Sequence, residues 1–216
     1  MFRGRKLHFL FSALIGVIVF AQLSRVKERY KSLPNLTHVE LLNKGTWHAH
    51  GGLPICPETH AFFLQAAQAK RNICEIGMGS GAAAFLFLQS STATVYEFDL
   101  GAEVKHNVAT YLRDNFDGRF IPHWGDFRLE IPKFPKTCDL IYVDALHPED
   151  VKLAMQYLGG ESAQWIYHSG GAGDLSARDY ILRTYGEHWE ETNTSNTSRA
   201  DGKRCVYYTG KLRLGN

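Results

Sequence analysis

Seven consecutive residues, Glu75-Ile-Gly77-Met-Gly79-Ser-Gly81, carry the densest chemical signal in the chain. They follow the short apolar run ending at Ile76 and precede Ala82-Ala-Ala-Phe-Leu-Phe-Leu88, so the glycines fall where a strand turns into a helix. Glycines at such a turn adopt positive φ and let a ligand approach the backbone, while the first N–H groups of the helix point outward without an intrahelical partner. A nucleotide-like ligand suits that corner. The spacing Gly77-x-Gly79-x-x-Ala82 also satisfies the dinucleotide fingerprint with alanine in its last place, so the turn alone leaves two kinds of cofactor open.

Acids recur downstream at the ends of further β-rich runs. Thr94-Val-Tyr-Glu-Phe-Asp99 ends in a carboxylate about 20 residues past the glycines, where it can accept from both hydroxyls of a ribose. Asp99 is the first choice for that task, and Glu97, on the same side by strand alternation, is the alternate. Phe120-Ile-Pro-His-Trp124 leads into Gly125-Asp126-Phe127, where Asp126 reads either as a ligand acceptor or as a turn residue capping its own backbone. Cys138-Asp-Leu-Ile-Tyr-Val-Asp144 ends in an acid followed closely by His147, and Trp165-Ile-Tyr-His168 brings a second imidazole to the end of a fifth run. His147 and His168 are the catalytic candidates, since a hydroxyl nucleophile is helped by a group that takes its proton.

With Glu75 two residues ahead of the first glycine, the turn resembles motif I of the class I S-adenosylmethionine-dependent methyltransferases. The segment from Cys138 to His147 is similar to the D-L-I-x-[IV]-D-x-x-H stretch of the small-molecule branch of that superfamily. The resemblance covers roughly residues 54 to 210. It implies S-adenosylmethionine as cofactor, seated by Glu75, Gly77, Gly79, Gly81, Glu97, Asp99, Asp126, Phe127 and Asp144, with Asp126 accepting from the adenine amino group and Phe127 against the base. The implied activity is methyl transfer to a small molecule or an exposed glycan or protein group, O-methylation foremost. The divalent-metal branch pairs the fourth-strand acid with Asp-Asn after strand five; here His168-Ser169 stand there, a poorer set for a hard cation, and no metal ligands are assigned. Two other classes meet the same residues: a nucleotide-dependent oxidoreductase on the same turn, and a membrane-tethered protein that binds the cofactor without turnover. A glycosyltransferase ranks below both for want of a D-x-D motif.

The elements that must position these residues alternate along the chain. Strands are expected at 72–77, 94–99, 119–124, 138–144 and 163–168, with helices at 60–70, 81–90, 103–115, 148–158 and 175–187. Trp189 to Thr192 and Arg204 to Thr209 flank a polar connection and read as an antiparallel hairpin. The expected fold class is α/β: a Rossmann-like, mostly parallel seven-stranded sheet with helices on both faces and a C-terminal antiparallel hairpin.

Composition sets the surroundings. A chain of 216 residues with 44% hydrophobic and 21% charged residues has room for one globular core plus a short extension. Its net charge of +2, spread without a basic block, gives no footprint for nucleic acid. Residues 1–6 form a basic tail, 7–23 an apolar segment that reads as a signal-anchor or signal peptide, 24–53 a stem, and 54–216 the catalytic-type domain. Sequons at Asn35, Asn193 and Asn196 favour a membrane-tethered domain in the lumen of the endomembrane system, or a secreted one if the apolar segment is cleaved. Cys56, Cys74, Cys138 and Cys205 show no zinc spacing. Cys74 and Cys138 read as small core residues in buried strands, with disulfides open to a lumenal protein.

Overall fold

The structure, a computed structural model, describes residues 59–101, 103–144, 148–169, 181–198 and 204–212. Helix α1 covers His60–Ala66 and leads to β1 at Asn72–Ile76. Then come α2 (Ala82–Ser90), β2 (Thr94–Asp99), α3 (Glu103–Asn115) and β3 (Phe120–Trp124). A short α4 (Phe127–Glu130) runs into a 3-10 turn at Ile131–Lys133 before β4 (Cys138–Val143), α5 (Pro148–Tyr157) and β5 (Gly159–Ser169). Residues 181–185 are helical, and β6 (Trp189–Ser198) and β7 (Arg204–Leu212) close the sheet.

The seven strands lie in the order β3-β2-β1-β4-β5-β7-β6. Neighbours from β3 through β5 pair in parallel, whereas β7 is antiparallel to both β5 and β6. This is the expected fold class. Every parallel crossover needs a helix to return the chain, which is why strands and helices alternate up to β5.

Helix α2 is the central packing element. Its residues Ala82 through Leu88 are all buried, as an α-helix apolar on every side requires. The Arg119 guanidinium donates to the carbonyls of Leu88, Ser91 and Ala93, covering the C-terminal end of α2 with charge of the favourable sign. On one sheet face Phe63 of α1 meets Phe87, Tyr142 and Tyr207 with ring centroids 4.9–5.6 Å apart. The other face gathers Ile76, Phe98, Ile141 and Val143 against Val151, Met155 and Leu158.

Two departures from the expected elements have local causes. Strand β5 begins at Gly159 because a bulge opposite Cys138/Leu140 lets the pairing restart, and the Trp165 indole folds over that glycine, 2.5 Å from where a Cβ would stand. The polar stretch from Asn193 to Ser198 is not a connection but the continuation of β6, paired to β7 as far as Ser198 with Arg204. Pairing across the ladder, not apolar alternation, makes it a strand. Of the expected helix at 175–187, the described part is helical at 181–185, and 175–180 lie outside the described residues.

Cys74 and Cys138 are more than core fillers. Both are buried and joined by a disulfide with Cα atoms 5.8 Å apart, within the usual span for such a bond. Beside it, Asp139 accepts from the N–H groups of Arg71 and Asn72 at 2.8 and 3.0 Å, fastening the start of β4 to the start of β1. Burial pushes the Asp139 carboxyl up, but those two bonds and the charges of Arg71 and Lys70 hold it below the usual 3.8. A carboxyl depressed in the folded state adds stability above its ordinary value and loses it as pH falls through the folded one. Asp139→Ala should therefore cost about 1 kcal/mol near neutral pH, a figure kept small by the group's exposure. The gap between variant and wild type in urea melts should narrow as pH falls through the folded-state value of Asp139 and close below it, where both states bind the proton.

Candidate functional site

Chain directions place the carboxyl ends of β1, β2 and β4 side by side. Gly77 donates its N–H to the Phe98 carbonyl and Asp144 donates its N–H to the Ile76 carbonyl, each at 3.0 Å, so the glycine turn leaves β1 between its neighbours. Gly77 sits at φ +91°, and a Cβ there would stand 2.7 Å from the Asp144 carbonyl oxygen. That glycine is required by the close approach of β4. Gly81 answers a packing demand, since a Cβ there would stand 2.8 Å from Val108 of α3 and 3.1 Å from the Met78 methyl. Gly79, at φ +50°, has nothing within 4 Å of the same point and is the member of the turn with room for a ligand. Directly behind it, α2 begins with no side-chain cap on its first N–H groups.

Asp99 closes the corner. Its Oδ2 accepts from the Met78 N–H at 2.9 Å and its Oδ1 from the Gly101 N–H at 2.8 Å, so one carboxylate shapes both the glycine turn and the turn after β2. Glu97 lies one step deeper, wholly buried and in register with Glu75, itself in register with Tyr142. Glu97 and Glu75 thus stand beneath the turn rather than at its mouth.

Past β3, Asp126 caps α4 through Oδ1, which accepts from the Arg128 N–H at 3.0 Å. Its Oδ2 takes no part in that cap. Phe127 is half-covered on the core edge, with the Arg128 guanidinium 4.9 Å from its ring centroid, and Arg128 reaches on to the buried Asp150 at 2.8 Å. Sequence reasoning did not single out Arg128, because nothing in its spacing shows that it ties α4 to α5. It also passed over Leu100, which is 71% exposed directly after Asp99, and His106, whose ring lies 4.6 Å from that of Trp124 beside Gly101. An exposed leucine next to a buried acid is the signal that marks an apolar lip.

His123, also near the end of β3, stacks on Phe98 at 4.9 Å, and its pKa is lowered chiefly by burial. Of the two catalytic candidates, His147 lies outside the described residues. His168 is in β5 one residue beyond the Val143–Tyr167 pair, and Asp144 directly follows β4, which brings the two backbones to the same sheet edge. Among the described residues no three His, Cys, Asp or Glu side chains gather to hold a metal ion.

Six strands running one way with a reversed β7 slotted between β5 and β6, a glycine turn after β1 and an acid closing β2 define the class I methyltransferase fold. The doubly wound dinucleotide-binding sheet, ordered 3-2-1-4-5-6, has no such reversed strand, and the oxidoreductase reading fails there. Residues 74–165 match a family model described as a methyltransferase domain. Among solved structures, an O-methyltransferase from Bacillus cereus in complex with SAH is 16% identical, with a TM-score of 0.65 over 83% of this chain and 93% of its own. The O-methyltransferase TomG from Streptomyces achromogenes, in complex with SAM, is 15% identical, with a TM-score of 0.63 over 80% and 89%. A precorrin-6y C5,15-methyltransferase from Geobacter metallireducens is 13% identical, with a TM-score of 0.56 over 73% and 88%. No curated protein matches the chain. At these identities the likeness is one of fold.

Proposed function

We propose that this chain transfers a methyl group from S-adenosylmethionine to a hydroxyl of a small molecule or of an exposed glycan or protein group. The observation that carries the proposal is the corner itself: open space at Gly79, an uncapped helix start behind it, and the buried Asp99 carboxylate beside it. The three suit the three polar parts of the donor. The N–H groups at the start of α2 match its carboxylate, Asp99 its ribose hydroxyls, and the acidic edge at Asp99 and Asp144 its positive charge. Leu100, Trp124 and Phe127 offer apolar surface for the base. The bound donor supplies an electrophilic methyl carbon, and the protein's share is to hold an acceptor oxygen in line with it and keep water away. The O-methyltransferases among the structural neighbours support oxygen as the acceptor atom. His168 and His147 remain the proposed bases.

The proposal places the domain in the lumen of the endomembrane system, tethered by residues 7–23 or released if that segment is cleaved. The basic flank at Arg3, Arg5 and Lys6, the sequons at Asn35, Asn193 and Asn196, and the Cys74–Cys138 bond support it. No helix among the described residues is long and apolar enough to cross a membrane, and residues 7–23 lie outside them.

Calorimetric titration is the first test. S-adenosylmethionine and S-adenosylhomocysteine should bind with micromolar affinity while nicotinamide dinucleotides do not, and hydroxylated acceptors should raise S-adenosylhomocysteine above background. Binding of the dinucleotides alone would sink the proposal. Binding without product across phenol, polyol and glycan acceptors would sink the catalytic half of it.

A further inference from the structure

Helix α4 is a single turn, Phe127–Glu130, without a buried residue, and a turn that short has little stability of its own. Its place is nevertheless a sensitive one. The Gly125 N–H donates to the Asp99 carbonyl at 3.0 Å, and Trp124 is in register with Asp99, so Asp126 and Phe127 follow directly beside the acid that closes the cofactor corner. Arg128 fastens this turn. Its N–H donates to the Asp126 Oδ1 at 3.0 Å, its Nη1 lies 3.7 Å from the same oxygen, and its guanidinium carbon is 4.9 Å from the centroid of the Phe127 ring. Its Nη2 forms an ion pair at 2.8 Å with Asp150, whose side chain is 3% exposed, in the first turn of α5. Glu130, the other acid of α4, pairs with Lys133.

We propose that Arg128 is a positioning residue for the base of the methyl donor: its guanidinium, anchored on Asp150, holds Asp126 and Phe127 where the adenine docks. The proposal rests on the S-adenosylmethionine reading above. A donor with its carboxylate at the start of α2 and its ribose on Asp99 extends toward the next strand outward, β3, and so brings its base to the turn that begins at Gly125. The anchor is of a kind that fixes geometry. A planar guanidinium can lie on a ring and reach a carboxylate at once, which a lysine ammonium does not match. A carboxylate as buried as that of Asp150 is costly without a cation, so the pair resists opening even though the arginine itself is half-exposed. Through it the base-side turn is registered against α5, the next helix after Asp144.

Two ligands that differ only at the base separate this role from a structural one. S-adenosylhomocysteine carries an amino group on its purine, and S-inosylhomocysteine a carbonyl oxygen in its place, with the ribose and amino-acid contacts shared. In calorimetric titrations of the full chain, wild type should prefer the adenine ligand at least about tenfold. Asp150→Asn should lower that preference to below about threefold while affinity for the inosine ligand changes less than about twofold. Arg128→Met should do the same, and adding R128M to D150N should lower the preference no further. Arg128→Lys, which keeps a positive charge for Asp150 but lacks the planar fork, should also lower it and carries the test where the uncharged variants fail to fold. Equal weakening of both ligands, a preference left intact, or additive losses in the double variant would overturn the proposal. So would a wild type that binds both ligands alike, since the base would then not be read at this turn. Wild-type protein that binds neither ligand would overturn the cofactor reading itself, an outcome distinct from loss of the preference.

Discussion

Asp99→Ala is expected to lower S-adenosylmethionine affinity by at least about 100-fold, the largest effect of any single change at the corner. Two losses add. The variant removes the acceptor for the ribose hydroxyls, and it strips the partner from the N–H groups of Met78 and Gly101 where almost no water reaches. Each stranded amide costs about 1–3 kcal/mol, so unfolding free energy should fall by about 2–6 kcal/mol as well. Asp99→Asn separates the two. Its amide keeps one acceptor oxygen but turns an NH2 toward the other N–H, so the turn should loosen while the side chain keeps its size. Calorimetry and urea melts on the same preparations check both halves. An Asp99→Ala protein that melts early yet binds within about threefold of wild type would show that the carboxylate shapes the turn without touching the ligand.

Breaking the Cys74–Cys138 bond is the second large effect. The bond closes a loop of 64 residues and joins the two central strands, so its loss should cost about 2–4 kcal/mol, most of it through the freer unfolded chain. For a chain of this size that corresponds to a fall in Tm of about 5–15 °C. Because both cysteines are buried, reductant should act only on molecules that have already opened, and the loss is read in denaturant melts with and without it. The paired variant Cys74→Ala/Cys138→Ala should show the lower stability at once and respond to reductant less than wild type does. Protein made in an oxidising compartment should melt later than the same chain made in a reducing one. Equal melts under both conditions would remove this support for a lumenal location.

What could be read in advance follows from how local each signal is. The β1–turn–α2 unit was legible because an apolar run, three glycines and an all-apolar helix are contiguous, and α3 was placed at Glu103–Asn115 as expected. The length of β6 was not, because Asn193 to Ser198 owe their extended form to β7, a partner that polar residues do not announce. Asp126 shows the same limit at the site. Its place after Gly125 suits both a ligand contact and a helix cap, and only the Arg128 N–H tells that one oxygen serves the cap. Register is equally silent in sequence: Glu75, Glu97 and Tyr142 are far apart in the chain, and pairing alone makes them neighbours. The identity of an acceptor has no such carrier, since His147 falls outside the described residues and a pocket shape is not a sequence pattern.

The glycine turn carries one more consequence. Three glycines in five residues give this segment of the unfolded chain wide backbone freedom, and ordering them is costly. Here that entropy is surrendered during folding, because Gly77, Met78 and Gly81 are already bound to Phe98, Asp99 and Met78 before any ligand arrives. A ligand settling over Gly79 thus meets a seat that need not be ordered, and its contacts register as affinity instead of being consumed in stiffening the loop.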